Sequence, residues 1–131
     1  MTVTHVLVAF DGSDAAERAL ASGATAARDA HARLTVLVLA TVEEPCRCCN
    51  LQTTFWNAEM RRLAADAADR ARVLVPGEIE TEVVIRRGRG RGAVRAVATE
   101  LACDVVVEPG RWGGAPRRTE LTPDARTGER S

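Results

Sequence analysis

The 131-residue chain has no lysine: all 18 basic side chains are arginine, and 18 acidic ones bring the formal net charge to zero. That absence removes any Walker-type phosphate lysine and any Schiff-base lysine. Without a basic excess, a dedicated nucleic-acid binder is not expected. Aromatic residues amount to 3%, too few for base-stacking platforms. The longest apolar run, 34–42, is far short of the roughly 20 residues that cross a bilayer, so no membrane association is expected. The opening Met-Thr-Val-Thr-His lacks the features of a signal peptide, which points to the cytoplasm. Four cysteines, three of them clustered, are too few for a secreted disulfide framework. Apolar residues reach 46%, enough for the core of one domain in a chain too short for two.

Short apolar runs alternate with stretches of helical period. The run 6–10 is continuous, as in a strand covered on both faces. Asp11-Gly12-Ser13-Asp14 supplies a turn and cap, and Ala16, Ala19, Leu20, Gly23 and Ala27 fall on one helical stripe. Residues 34–42 form a second strand, followed by a loop over 43–53. Trp56, Met60, Leu63, Ala64, Ala67, Ala71 and Leu74 mark a long helix with Trp56 in the core, which Pro76-Gly77 ends. A third strand over 79–85 alternates as at a sheet edge, Val94, Val97, Ala98 and Leu101 give a third helix, and 103–107 a fourth strand. This alternation implies an α/β fold, a three-layer parallel sheet with right-handed crossovers. Residues 1–114 are read as the domain and 115–131 as a disordered polar tail.

In an open parallel sheet, ligands bind beyond the carboxyl ends of the strands, where strand order reverses. The candidate positions are therefore 11–13, 41–50, 86–92 and 108–114. His5 and His31 lie at the opposite end, and no Ser-His-Asp or Cys-His set converges on the rim. An enzyme is accordingly not the leading expectation.

The run from Val6 through Asp11-Gly12-Ser13 to Leu20, the segment 34–42 followed by Glu-Glu-Pro, and Cys103-Asp-Val-Val-Val107 together resemble universal stress proteins over about residues 3–114. The resemblance implies a Rossmann-like sheet of the adenine nucleotide alpha-hydrolase type, ordered 3-2-1-4, and a stress-response regulatory role. It implies ATP or AMP as ligand, with Mg left open, and a homodimer. It places adenosine on Asp11 and Ser13 and on the main chain at Leu39 and Ala40. Backbone contacts to phosphate fall to Gly110, Arg111 and Gly113. The carboxylate of Asp11 suits an amino or hydroxyl donor, while the alternative is a turn residue holding its own backbone.

The chain departs from the family pattern in three ways. Pro123 and Asp124 stand where the phosphate loop's second half requires glycine and a hydroxyl residue. Counted from Asp104, Gly110 and Gly113 are late by one residue. The last helix and fifth strand, a frequent dimer contact, have no counterpart, so the member reads as C-terminally truncated or divergent. An uncovered fourth strand would leave an association-prone edge unless the tail or a partner covers it.

Two further clusters stand out. Arg86, Arg87, Arg89, Arg91 and Arg95 crowd the start of the third helix. Arg87, Arg89 and Arg91 are anion candidates there, with a solvated loop or RNA contact as alternatives. Cys46, Cys48 and Cys49 define the competing function, a thiol redox or metal sensor on the same scaffold, with ordinary loop thiols as the alternative. A closed four-ligand metal site within one chain is not expected, because Cys103 and both histidines lie at the far edge. Trp112, on the rim, either stacks on adenine or caps the sheet edge.

Overall fold

The computed structural model describes residues 3–42, 50–111 and 114–121. The elements in chain order are β1 (His5–Ala9), α1 (Asp14–Ala30), β2 (Arg33–Ala40), α2 (Asn50–Leu74), β3 (Thr81–Arg87), α3 (Gly90–Glu100), β4 (Val105–Glu108) and β5 (Arg117–Glu120). They form one sheet of order β3-β2-β1-β4-β5. The first four strands are parallel, and β5 runs antiparallel to β4.

Alternation along the buried strands divides the core in two. Val6, Val8, Val36, Val38, Val105 and Val107 face α1 and α2. Leu7, Leu37 and Val106 face α3 through Val94, Val97 and Ala98, with Cys103 and Leu121 in the same cluster. The β1, β2 and β4 runs are continuously apolar because both faces are covered. At the sheet edge, β3 is only half buried, as its alternation implies.

Local chemistry fixes the joints. Ser13 caps α1, its Oγ accepting the Ala16 N–H at 3.1 Å, and His31 closes the helix in the left-handed region at φ 54°. At the foot of the sheet, Asp104 Oδ2 accepts from Thr4 N at 2.8 Å, Thr4 Oγ1 at 2.7 Å and His5 N at 3.1 Å. That carboxylate ties the start of β4 to the start of β1.

Several expectations are corrected. The fourth strand is not the last, since Arg117–Glu120, within the segment read as a tail, pairs along the whole of β4 and covers its outer edge. Trp56 is not core: it is 46% exposed, and the buried stripe of α2 runs through Thr53, Asn57, Ala64, Ala67, Ala68 and Ala71. Close approach of α2 to the sheet admits small side chains along that stripe, and the indole falls one position off it. The third strand begins at Thr81, because Ile79 belongs to a turn closed on the Pro76 carbonyl. The third helix begins at Gly90, ahead of Val94, the first apolar position that marks it in the sequence.

Candidate functional site

Strand β1 is flanked by β2 on one side and β4 on the other, so the chain's crossovers diverge at its carboxyl end. The crevice expected at such a switch point is present, with a volume of about 280 Å³. Its walls come from four places: Ala9, Phe10 and Asp11 after β1, Leu37, Leu39 and Thr41 along and after β2, Arg89, Gly90, Arg91 and Val94 at the start of α3, and Glu108 and Pro109 after β4. One wall is apolar, with Phe10 buried beneath it. The other is the N-terminus of α3, whose cap residue Arg89 makes no side-chain cap hydrogen bond, leaving the first N–H groups of the helix for a ligand. Gly88 and Gly90 allow this entry, with φ of 138° and 79°.

The crevice gathers four of the expected residues, Asp11, Leu39, Arg89 and Arg91. Asp11 Oδ1 accepts the Ser13 N–H at 2.9 Å, so the turn role is real. A carboxylate has room for further donors, so the ligand role is compatible with it. Ser13 is engaged as the α1 cap and does not line the crevice. The Ala40 carbonyl accepts from Val42 N at 3.0 Å and Gly88 N at 3.2 Å, which fastens β2 to the end of β3 instead of facing the crevice. Arg87 is exposed on the strand end.

Gly110 and Arg111 also stand outside the crevice walls. At Gly110 a Cβ would collide with the carbonyl groups of Gly114 and Ala115. Gly114 N donates to Arg111 O at 2.8 Å, and the carbonyl oxygens of Gly114 and Ala115 lie against Gly110 where an anion would need N–H donors. Gly113, Trp112 and the three loop thiols Cys46, Cys48 and Cys49 lie outside the described residues. Among the described residues no group of three or more His, Cys, Asp or Glu could hold a metal ion. No helix there is long and apolar enough to cross a membrane.

Sequence reasoning passed over Glu108 as an individual residue. It is only 6% exposed yet lines the crevice. Arg91 Nε stands 3.8 Å and Arg117 Nη2 3.9 Å from its Oε1. Both are ion-pair rather than hydrogen-bond distances, and among the described residues this oxygen accepts no hydrogen bond. Its signal in the sequence is a lone carboxylate closing an all-valine strand on the rim.

A second crevice of about 280 Å³ lies between α1 and the end of α2, walled by Leu20, Ala24, Leu74, Pro76 and Ile79 with Glu17 and Arg28 at its margin. It lies away from the carboxyl ends of the strands, and none of the candidate site residues named from the sequence lines it.

Fold and crevice together define an α/β scaffold with a crevice at the switch point of its sheet, and comparison with known proteins gives its family. The model of the universal stress protein family matches residues 2–111, and the chain belongs to that family. Among solved structures it is similar to universal stress protein UspA from Lactobacillus plantarum, with 19% identity, TM-score 0.68, and 82% of this chain and 77% of that one covered. A universal stress family protein from Burkholderia pseudomallei gives 23% identity and TM-score 0.59 over 83% of each chain. A universal stress protein solved in complex with cAMP gives 23% and 0.52 over 81% and 71%. Comparison with curated proteins gives no match.

Proposed function

We propose that the chain is a non-catalytic stress-response module that takes an adenine nucleoside or nucleotide into the crevice between the ends of β1, β2 and β4. The observation that carries this reading is the crevice itself, where the Asp11 acceptor, an apolar floor of Phe10 and Leu39, and an uncapped helix N-terminus with Arg89 and Arg91 meet in one space. These are the parts needed to hold a flat base, a sugar and an anionic group. The likeness to a relative solved with cAMP supports the ligand class. Phosphate, where present, falls to the α3 N-terminus, since the loop at Gly110 presents carbonyls. The same reading carries a homodimer and a cytoplasmic setting.

Equilibrium dialysis of the purified chain against labelled adenosine, AMP and ATP tests it. Binding of at least one is expected, and Asp11→Ala should weaken it about tenfold or more, the worth of a charge-assisted hydrogen bond. Absence of binding at millimolar ligand, or an Asp11→Ala variant that binds as wild type does, refutes the reading.

A further inference from the structure

We infer that Glu108 sets the ligand class of this crevice: it is a buried acceptor that selects an uncharged, donor-bearing nucleoside over a nucleoside triphosphate. The inference rests on the nucleotide reading above and goes beyond it. Glu108 is buried, lines the crevice, and holds an Oε1 that accepts no hydrogen bond among the described residues. A buried acceptor left in that state is costly, and a ligand that brings a donor recovers the cost. The free 5′-hydroxyl of a nucleoside brings one, and a 5′-nucleotide has lost that donor to its phosphate ester. A phosphate at neutral pH brings only acceptors and more negative charge.

The arginines strengthen the argument. Arg91, on the crevice wall, and Arg117, from β5, both turn to the same oxygen of Glu108, at 3.8 and 3.9 Å. The charge that would otherwise greet a phosphate chain is already directed at a carboxylate built into the protein. Arg117 is held there by the sheet, since it is the residue paired with Glu108 in the β4–β5 register. On the same wall, at the α3 N-terminus, Arg89 and the first N–H groups of the helix remain as partners for an anionic group. Sites that read a hydroxyl or amine through a buried partner reject ligands lacking it strongly, because the partner is then left unsatisfied.

The test is isothermal titration of the full chain with adenosine, AMP and ATP, for wild type and Glu108→Gln. Wild type should bind adenosine at least tenfold more tightly than ATP, with AMP between them. Glu108→Gln keeps the shape and removes the charge, and should shift the adenosine-to-ATP preference toward ATP by about tenfold, as expected for one unit charge a few ångströms away. Circular dichroism confirms that the variant is folded. Should it unfold, the wild-type order of the three ligands decides alone. ATP bound as tightly as adenosine, or a preference unmoved in folded Glu108→Gln, overturns this inference and leaves the nucleotide reading standing. Failure of all three ligands to bind overturns both.

Discussion

Gly23 sits in the middle of α1, where alanine would ordinarily be the better residue. Replacing an interior helical glycine by alanine stabilises by about 1 kcal/mol when nothing stands in the way. Here Val8 does: a Cβ on Gly23 would lie well inside van der Waals contact of Val8 Cγ2, with Val8 Cβ at 3.7 Å and Leu34 Cδ1 at 3.8 Å behind it. Val8 cannot step aside easily. It is fully buried, registered between Val36 on β2 and Val107 on β4, and its β-branched side chain has little χ1 freedom. Overpacking of this kind costs about 1–3 kcal/mol, which outweighs the propensity gain at all but its lower limit. Gly23→Ala should therefore lose about 1 kcal/mol or slightly more in urea unfolding followed by circular dichroism, with an unchanged m-value. Two comparisons isolate the cause. Gly92→Ala in α3, where an added Cβ meets nothing within 4 Å, should gain stability. In Val8→Ala the second substitution Gly23→Ala should cost much less than in wild type, a coupling of about 1 kcal/mol or more. A Gly23→Ala variant at least as stable as wild type would show that α1 does not approach β1 as closely as described.

Two further predictions concern the foot of the sheet. Asp104→Ala strips the acceptor shared by Thr4 N, Thr4 Oγ1 and His5 N, and leaving the buried His5 N–H unmet, with the exposed Thr4 donors turned over to water, should cost about 2 kcal/mol in the same assay; a loss below half of that would mean the β1–β4 clamp is dispensable. His5 is held below its ordinary value of 6.5, by burial first and then by the charge of Arg33, against the pull of Asp104 and Glu82. The unfolded chain therefore takes up the proton first as pH falls, so the stability from neutral His5 is complete above about pH 6.5 and is lost below it toward the folded value. Thermal midpoints should fall between pH 7 and pH 5.5 in wild type and fall less in His5→Gln, and identical pH slopes would refute this origin.

How much of the fold was legible depends on what held each element. The strands β1, β2 and β4 announce themselves because burial on both faces demands continuous runs such as Val105, Val106 and Val107. The order of the first four strands is what the family resemblance implies, and it agrees with the sheet observed. Trp56 shares the period of the helical stripe yet stays exposed, because α2 packs on the sheet through Ala64, Ala67, Ala68 and Ala71. Of the stripe that the sequence marks on this helix, Ala64, Ala67 and Ala71 are buried while Trp56 and Leu63 are exposed, so in this alanine-rich chain the small residues mark the packed face.

The strand β5 was illegible for a different reason that bears directly on the site. Arg-Arg-Thr-Glu carries no hydrophobic alternation, the signal by which a half-buried strand is recognised. Its alternation is one of polar partners: Arg117 and Thr119 turn inward, half buried, while Arg118 and Glu120 face solvent. Each inward residue meets a polar group that the remaining chain already holds. Arg117 approaches Glu108, and Thr119 Oγ1 accepts from Arg95 Nη2 at 3.5 Å. A carboxylate at the end of β4 and a guanidinium at the start of β5 explain one another, and neither is readable alone. Removing the guanidinium would leave Arg91 as the one remaining countercharge of Glu108 among the described residues. The strand that closes the edge of the sheet is thus also the strand that makes a buried acid at the mouth of the crevice tolerable.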